Sequence, residues 1–596
     1  MRKFTLPVLA LLLLTGCFSL RGNKNPGTDL NSVLEGYSRE FYALNPLNAT
    51  ANNINTYNDQ LAINISEAYV QRSITLNNLY LAKLKRINYR DLSESDRLSA
   101  DILKYQLSLQ NEGLRNHYGF YRPVDQFVFS FPQRFALLGS GAGYVTFKTE
   151  TDYRNFISRM KLFGVWVDQA IKNMQKGLEI GNTNPAASMA KVPAQLKPLF
   201  ELDGDKNIFY KPLLALPADL DNAAKEKLTA DYTAAINTYV RPAYKRLNHF
   251  LETSYIPRTR RSAGLTGNQN GKAEYAYWLK YYTSSDITAD EVFELGLAEV
   301  ARIRKEMDSI KTVAGFKDDL KAFFQFIKTD PKFFPFKTEA EILHRYRSFE
   351  ARMEPHLETL FQLRPASKFE VRATEKFREA AANAQYLPPS RDGQKPGIFY
   401  ETVRDPLKYN SFEMETLFLH EAIPGHHYQL AIQQEANIPE FRKKLINSAF
   451  AEGWGLYAES LGTSLGMFTD PYQYMGRLSN EMERAVRLVV DAGMHHKGWT
   501  REQAIAYVLD NQPVTDQVAE QRIERYMVVP GQGVSYKVGE LKIIALRNKA
   551  QKALGDKFDI REFHAQVLKD GCLPLLILER QIDKWIESKI LPLKQL

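Results

Sequence analysis

Apolar residues recur along this chain mostly at helical spacing. Behind Thr288-Ala289-Asp290-Glu291, a capping-box signature, Phe293, Leu297, Val300, Ile303, Met307 and Ile310 follow one another at intervals of three or four, the stripe that an amphipathic helix turns toward a core. Thr500-Arg501-Glu502-Gln503 opens another helix in the same way. Two stretches marked by Pro, Gly and Asn interrupt the helices, residues 185–221 and 387–400. The second predicts a loop and a short edge strand against which an extended peptide could pair. The mature part, roughly 580 residues, is long for one compact core, yet no repeat or low-complexity linker divides it. The pattern predicts a mostly α fold in which two helical lobes, residues 29–280 and 281–596, flank a deep cleft with a small β element near it.

The N-terminus departs from this pattern. Met1-Arg2-Lys3, the apolar run from Phe4 to Leu14 and Leu14-Thr15-Gly16-Cys17 form a bacterial secretion signal. Leu-Thr-Gly-Cys resembles a lipobox, which implies that residues 1–17 end at a lipidated Cys17 and that residues 18–28 are a flexible tether. The run is too short to span a bilayer as a mature helix, which needs about 20 residues. The expected location is therefore the bacterial cell envelope, with the body lipid-anchored to the outer membrane facing the periplasm or to the cell surface. Cys572 is the one cysteine left after the signal, which excludes an intrachain disulfide and a cysteine-built zinc site. A formal charge of +9 is spread along the chain rather than gathered in a tract, which excludes nucleic acid as the indicated partner.

Five of the ten histidines lie between His420 and His496, so metal chemistry would belong there, in the C-terminal lobe. The stretch His420-Glu421-Ala422-Ile423-Pro424-Gly425-His426-His427 places a His-Glu pair and further histidines near the end of an expected helix. A hydrolytic zinc site needs two neutral imidazoles for the ion and a carboxylate to take a proton from water. The regular HExxH spacing is broken, because Pro424 stands at i+4. In an unbroken helix His426 would point about 120° away from His420, and both it and His427 would lie roughly 9–10 Å along the axis. Pro424 has no N–H for the carbonyl of His420, so the helix must kink or bulge. Gly425 frees the backbone further. A bulge absorbing two residues would return His426 to the i+4-equivalent position. The alternative is a helix that stops at Pro-Gly and two surface histidines after it.

A third ligand is expected in Phe450-Ala451-Glu452-Gly453-Trp454-Gly455-Leu456-Tyr457-Ala458-Glu459, an apolar run carrying two carboxylates, since acidic groups are rarely buried without a partner or a metal. Enough chain separates it from His426 for a turn and a returning antiparallel helix. Glu452 is favoured as ligand, with Glu459 either an outer partner of a ligand histidine or a solvated residue.

His420-Glu421-x-x-Pro-Gly-His and the Phe-x-Glu-Gly-Trp-x-Leu-Tyr-x-Glu block resemble a large bacterial family catalogued as domain of unknown function 885. Further blocks match it: Pro396 to Tyr400, Arg487 to Asp491 with His495 and Gly498-Trp499-Thr500, Arg525-Tyr526 with Pro530-Gly531-Gln532, and Ser535-Tyr536 to Lys542. The resemblance spans most of the mature chain and implies His426 rather than His427 as ligand. The family is similar to helical zinc peptidases such as thimet oligopeptidase and carboxypeptidase Taq. One departure is Cys572, where a serine or similar small residue is expected.

The residue types then imply one Zn2+ per chain on His420, His426 and Glu452, with Glu421 as general base toward water and proton donor to the leaving amine. Tyr536 and His495 are the candidates to stabilise the oxyanion. Arg484, Arg487, Asp491 and His495 fall in one polar column on a helix, which could orient His495 through Asp491 and present arginine to a peptide carboxylate, or be a solvated face. Tyr400, Arg525 and Tyr526 join Glu459, Asp491 and Arg487 as candidates for substrate binding or for supporting the ligands. The expected activity is hydrolysis of short peptides. The alternatives are a metal-dependent hydrolase of another amide or ester and a non-catalytic peptide- or solute-binding lipoprotein.

Overall fold

The computed structural model describes residues 26–376, 383–390 and 394–590. The expected signal and Cys17 lie outside them. The first helix, Pro26–Leu44, takes up the last three residues of the expected tether. Helices make up most of the fold. Among the described residues none is long and apolar enough to cross a membrane.

Both capping boxes form. Thr288 and Glu291 start the helix Ala289–Val313, and Thr500 and Gln503 start Arg501–Asn511. In the first of these, Val300, Ile303 and Met307 are buried as the stripe requires, but Leu297 is 36% exposed. The helix turns Gly296 inward instead. A Cβ there would stand 2.7 Å from Val489 and 2.8 Å from Leu488, so the missing side chain lets this helix close on Pro471–Ala492. The stretch 185–221, expected to interrupt the helices, is itself built of short ones, among them Val192–Leu196 and Ile208–Ala215.

The core is divided along the chain. The buried residues of one apolar cluster all fall between Leu61 and Tyr255. Two others are built mainly from residues beyond Ala263. Tyr275 and Leu279, from the helix Gly271–Thr283, pack into the second group.

The β element is a three-stranded sheet: β1 (Phe369–Ala373), β2 (Gln385–Leu387) and β3 (Gly397–Glu401). Its order is β1-β3-β2, with β1 parallel and β2 antiparallel to β3. The strand expected at an edge within 387–400 is therefore the central one, with both its edges paired. The edges are β1 and β2, and only Leu387 of the expected stretch lies on one.

Four helices contribute candidate site residues: the HE helix (Met414–Glu421), the Glu helix (Ser448–Ser460), the Arg helix (Pro471–Ala492) and the Tyr helix (Ser535–Leu554). The Glu and Tyr helices cross almost backbone to backbone. A Cβ on Gly453 would stand 2.4 Å from the Gly539 carbonyl carbon, and one on Gly539 would stand 1.8 Å from the Ala449 carbonyl oxygen. Beside this crossing the hydroxyls of Ser448 and Ser535 are 2.7 Å apart.

Candidate metal centre

The HE helix stops at Glu421, and a new helix, His426–Glu435, starts after four intervening residues. Ala422 to Gly425 form a turn with a cis Ile423–Pro424 peptide. The chain is thus broken and restarted rather than bulged within one helix. The effect foreseen for a bulge still results, because the turn swings His426 back beside His420. Their ring centroids are 4.7 Å apart and nearly perpendicular, at 84°. Gly425 is required here. A Cβ on it would lie 1.9 Å from the carbonyl oxygen of His420 and 2.4 Å from that of Leu419. The indole N–H of Trp454 donates to the Pro424 carbonyl at 2.8 Å and ties the turn to the Glu helix.

The Glu helix runs antiparallel to the HE helix, so Glu452 reaches the gap between the histidines. Its Oε2 is 3.6 Å from Nε2 of His420 and 3.6 Å from Nε2 of His426. The three ligand atoms all lie within 4.8 Å of one another. Donors about 2.1 Å from a tetrahedral zinc would be roughly 3.4 Å apart, so the spacing and the His-His-Glu donor set fit that ion.

Glu459 is one layer out. It accepts from Nδ1 of His420 at 2.8 Å and from the Thr416 hydroxyl at 2.7 Å. This bond fixes the His420 tautomer and turns Nε2 toward Glu452. Gly455 provides the seat for the ring, since a Cβ there would lie 2.6 Å from Cε1 of His420. Burial lowers the His420 pKa, but Glu452 and Glu459 outweigh it and raise it to about 10. Burial likewise opposes ionisation of Glu452, and the two histidines reverse this and hold it well below the usual carboxylate range. Nδ1 of His426 is buried without a hydrogen-bond partner.

His427 points away. It is 2% exposed, its Nδ1 accepts from the Tyr386 hydroxyl on β2 at 2.8 Å, and burial lowers its pKa to about 4. Glu421 is partly exposed at the end of the HE helix, beside the cluster. Tyr536, near the start of the Tyr helix, is close enough to Glu452 for their charges to interact. Burial and Glu452 raise its pKa against the pull of Arg487, Arg484 and Arg525.

The column on the Arg helix works differently from the expectation. Asp491 does not orient His495. Its Oδ1 accepts from the Tyr275 hydroxyl at 2.7 Å and from the Gly531 N–H at 3.0 Å, and burial pushes its pKa up to about 7. His495 is fully buried. Its Nδ1 accepts from the Leu265 N–H at 3.0 Å, and its Nε2 donates to the Tyr526 carbonyl at 2.9 Å. Burial lowers its pKa to about 3. Both ring nitrogens are spent on backbone, so His495 cannot serve as the oxyanion donor. The regular i,i+4 step also fails here, because Gly493–Lys497 winds as a π-helix. Arg487 lies over the rings of Tyr536 at 4.8 Å and Tyr526 at 5.9 Å. Arg525 donates to Gln532 at 2.9 Å. Tyr400 is on β3 opposite Arg372, with which it hydrogen-bonds.

Two residues escaped the sequence reading. Glu401 closes β3 at 4% exposure, close enough to Glu421 to feel its charge. Burial raises its pKa to about 7 against hydrogen bonds from Tyr346, Thr402 and Tyr409. An acidic residue ending an apolar strand was the available signal. Lys537 is fully buried between Glu481 at 2.6 Å, Glu540 at 2.8 Å and Glu299 at 3.0 Å. The departure at Cys572 is structural: its sulfur accepts from the N–H of Asn447, the N-cap of the Glu helix, at 2.9 Å.

Comparison with known proteins places the chain. Residues 46–582 match the family described as "Bacterial protein of unknown function (DUF885)". A crystal structure named as that of a candidate lipoprotein from Colwellia psychrerythraea is similar at 26% identity and a TM-score of 0.83, covering 95% of this chain and all of that one. A candidate lipoprotein of unknown function from Shewanella oneidensis shares the fold at 20% identity and a TM-score of 0.73, covering 92% of this chain and 99% of that one. No curated protein matches the chain.

Proposed function

The chain belongs to the DUF885 family, and we propose that it is a zinc-dependent metallopeptidase of the bacterial cell envelope acting on short peptides. The observation that carries this reading is the convergence of His420, His426 and Glu452 within 4.8 Å, with His420 already oriented by Glu459. Such a fixed donor set is what a catalytic zinc requires. When bound, zinc would supply a Lewis acid for the scissile carbonyl and make water acidic enough to deprotonate near neutral pH.

Glu421 takes the proton from the attacking water and passes it to the leaving amine. It is suited to this by following His420 directly and by its partial exposure. Tyr536 donates to the developing oxyanion, and burial beside Glu452 keeps its phenol protonated. The tether through Cys17 rests on the lipobox and on the naming of both similar structures as candidate lipoproteins.

The test is elemental mass spectrometry and a peptide digest on protein lacking residues 1–17. About one zinc per chain is expected, lost in His426→Ala and kept in His427→Ala. Glu421→Gln should keep zinc and lose hydrolysis. Full activity in Glu421→Gln, or zinc lost in His427→Ala alone, would overturn the assignment.

A further inference from the structure

Beside the candidate metal centre the protein gathers more positive charge than it neutralises. Arg484 and Arg487 lie on the Arg helix, and Arg522 and Arg525 lie on the helix Asp516–Val528. Glu483 serves three of the four: it accepts from Arg487, pairs with Arg522 at 2.8 Å and lies 4.0 Å from Arg484. Glu413 is within reach of Arg484 and Arg522, but burial and then Glu483 push its pKa up to about 7, which weakens its charge. Arg525 has the neutral Gln532 as its acceptor and is covered by the Phe127 ring at 4.9 Å.

Donors are left over as well. Nε of Arg484, of Arg487 and of Arg525 is buried with no hydrogen-bond partner, and Arg487 is only 8% exposed. Buried guanidinium N–H groups without acceptors are costly unless an anion completes them. A planar carboxylate is the acceptor that suits a guanidinium fork.

The position says which carboxylate. The Arg487 guanidinium lies 4.8 Å over the Tyr536 ring, and Tyr536 is close enough to Glu452 to feel its charge. The crossing of the Glu and Tyr helices at Gly453 and Gly539 fixes that neighbourhood. The arginines therefore share the Tyr536 neighbourhood with the metal ligand Glu452, a separation on the scale of one or two extended peptide residues at about 3.5 Å each. The geometry points to Arg484, Arg487 and Arg525 as the site for the free C-terminal carboxylate of a short peptide. The scissile bond then lies one or two residues from that end, and the enzyme is an exopeptidase. This rests on the peptidase reading for its consequence, but the carboxylate site can be tested without turnover.

Zinc-loaded Glu421→Gln protein is titrated by calorimetry with acetyl-trialanine as the free acid and as the C-terminal amide. The acid should bind at least roughly tenfold tighter, the worth of one charge-assisted hydrogen bond. Adding Arg487→Gln or Arg484→Gln should erase the difference, and Arg487→Lys should restore part of it. Should Arg487→Gln not fold, Arg525→Gln asks the same question, since its guanidinium rests on Gln532 and Phe127. Equal binding of acid and amide, or binding of neither, overturns the carboxylate site, while cleavage of interior bonds by the wild type would still support a peptidase. A preference for the acid in Glu421→Gln, with a zinc-loaded wild type that hydrolyses no peptide offered, supports the site and sinks the peptidase reading.

Discussion

A methyl group at position 455 would stand 2.6 Å from Cε1 of His420 and 2.9 Å from each ring nitrogen. Carbon atoms rest about 3.5–4.0 Å apart, so in Gly455→Ala the imidazole must retreat by about 1 Å. The ring is tethered by the 2.8 Å bond from Nδ1 to Glu459, and a retreat of that size stretches or bends the bond beyond useful geometry. Nε2 moves with the ring and leaves the position it shares with His426 and Glu452. Stability and binding should then separate. Alanine favours a helix over glycine by up to about 1 kcal/mol, whereas overpacking costs about 1–3 kcal/mol, so the fold should lose little. Zinc affinity should fall about 10–100-fold, as when the orienting partner of a ligand is lost. The assay is competition for zinc against a chromophoric chelator, with urea unfolding of the metal-free protein alongside. Unchanged zinc affinity in a folded Gly455→Ala protein would refute the claim that the Glu helix seats His420 as a ligand.

Two further outcomes test the frame around the centre. Lys537→Met removes the buried cation between Glu299, Glu481 and Glu540. Arg302 and Arg477 still pair with the first two, but Glu540 loses its ion pair, which should cost about 3–5 kcal/mol in urea unfolding, as for one broken partner of a buried pair; a loss under about 1 kcal/mol would show that Glu540 does not depend on Lys537. His564 is held neutral, with Nδ1 donating to the Leu360 carbonyl and Nε2 accepting from the Tyr457 hydroxyl, and burial lowers its pKa to about 4. Above its ordinary value near 6.5 both folded and unfolded forms are neutral; below it the unfolded chain takes a proton the folded one refuses, so its contribution drains away as pH falls toward 4. The stability advantage of wild type over His564→Gln should accordingly shrink by about 2 kcal/mol between pH 7 and pH 5, and an advantage that stays constant or grows would contradict a buried neutral imidazole.

The helical scaffold was legible where a local signal decided it. Thr288 with Glu291 and Thr500 with Gln503 start helices because their reciprocal bonds need no distant partner. The side of a helix that is buried is a different matter. Leu297 fitted the apolar stripe, yet Gly296 faces the neighbouring helix, because close approach there depends on Leu488 and Val489, far along the chain. The sheet shows the same limit. A Pro- and Gly-marked segment signals extended chain, but the parallel partner β1 that makes β3 central lies outside it. Periodicity describes a face; it does not name what covers it.

The same distinction separates the metal residues from the polar column. His420, His426 and Glu452 could be paired from sequence because Pro424-Gly425 had to break the helix and a returning helix had to bring a carboxylate back. The break and the return follow from backbone chemistry within a short span, whereas the choice of His426 over His427 comes from the family resemblance. Asp491 and His495 shared only a spacing, and spacing puts groups on one face without choosing their partners. Among their partners are Gly531 and Tyr526, which lie in the stretch between Arg525 and Tyr536. Two buried polar groups thus hold that stretch at two points, and the helices on either side of it carry Arg525 and Tyr536, on which carboxylate and oxyanion recognition depend. Asp491 and His495 therefore act on the site by position. Loss of either should disturb Tyr536 and Arg525 together, a coupling that a proton relay through His495 would not produce.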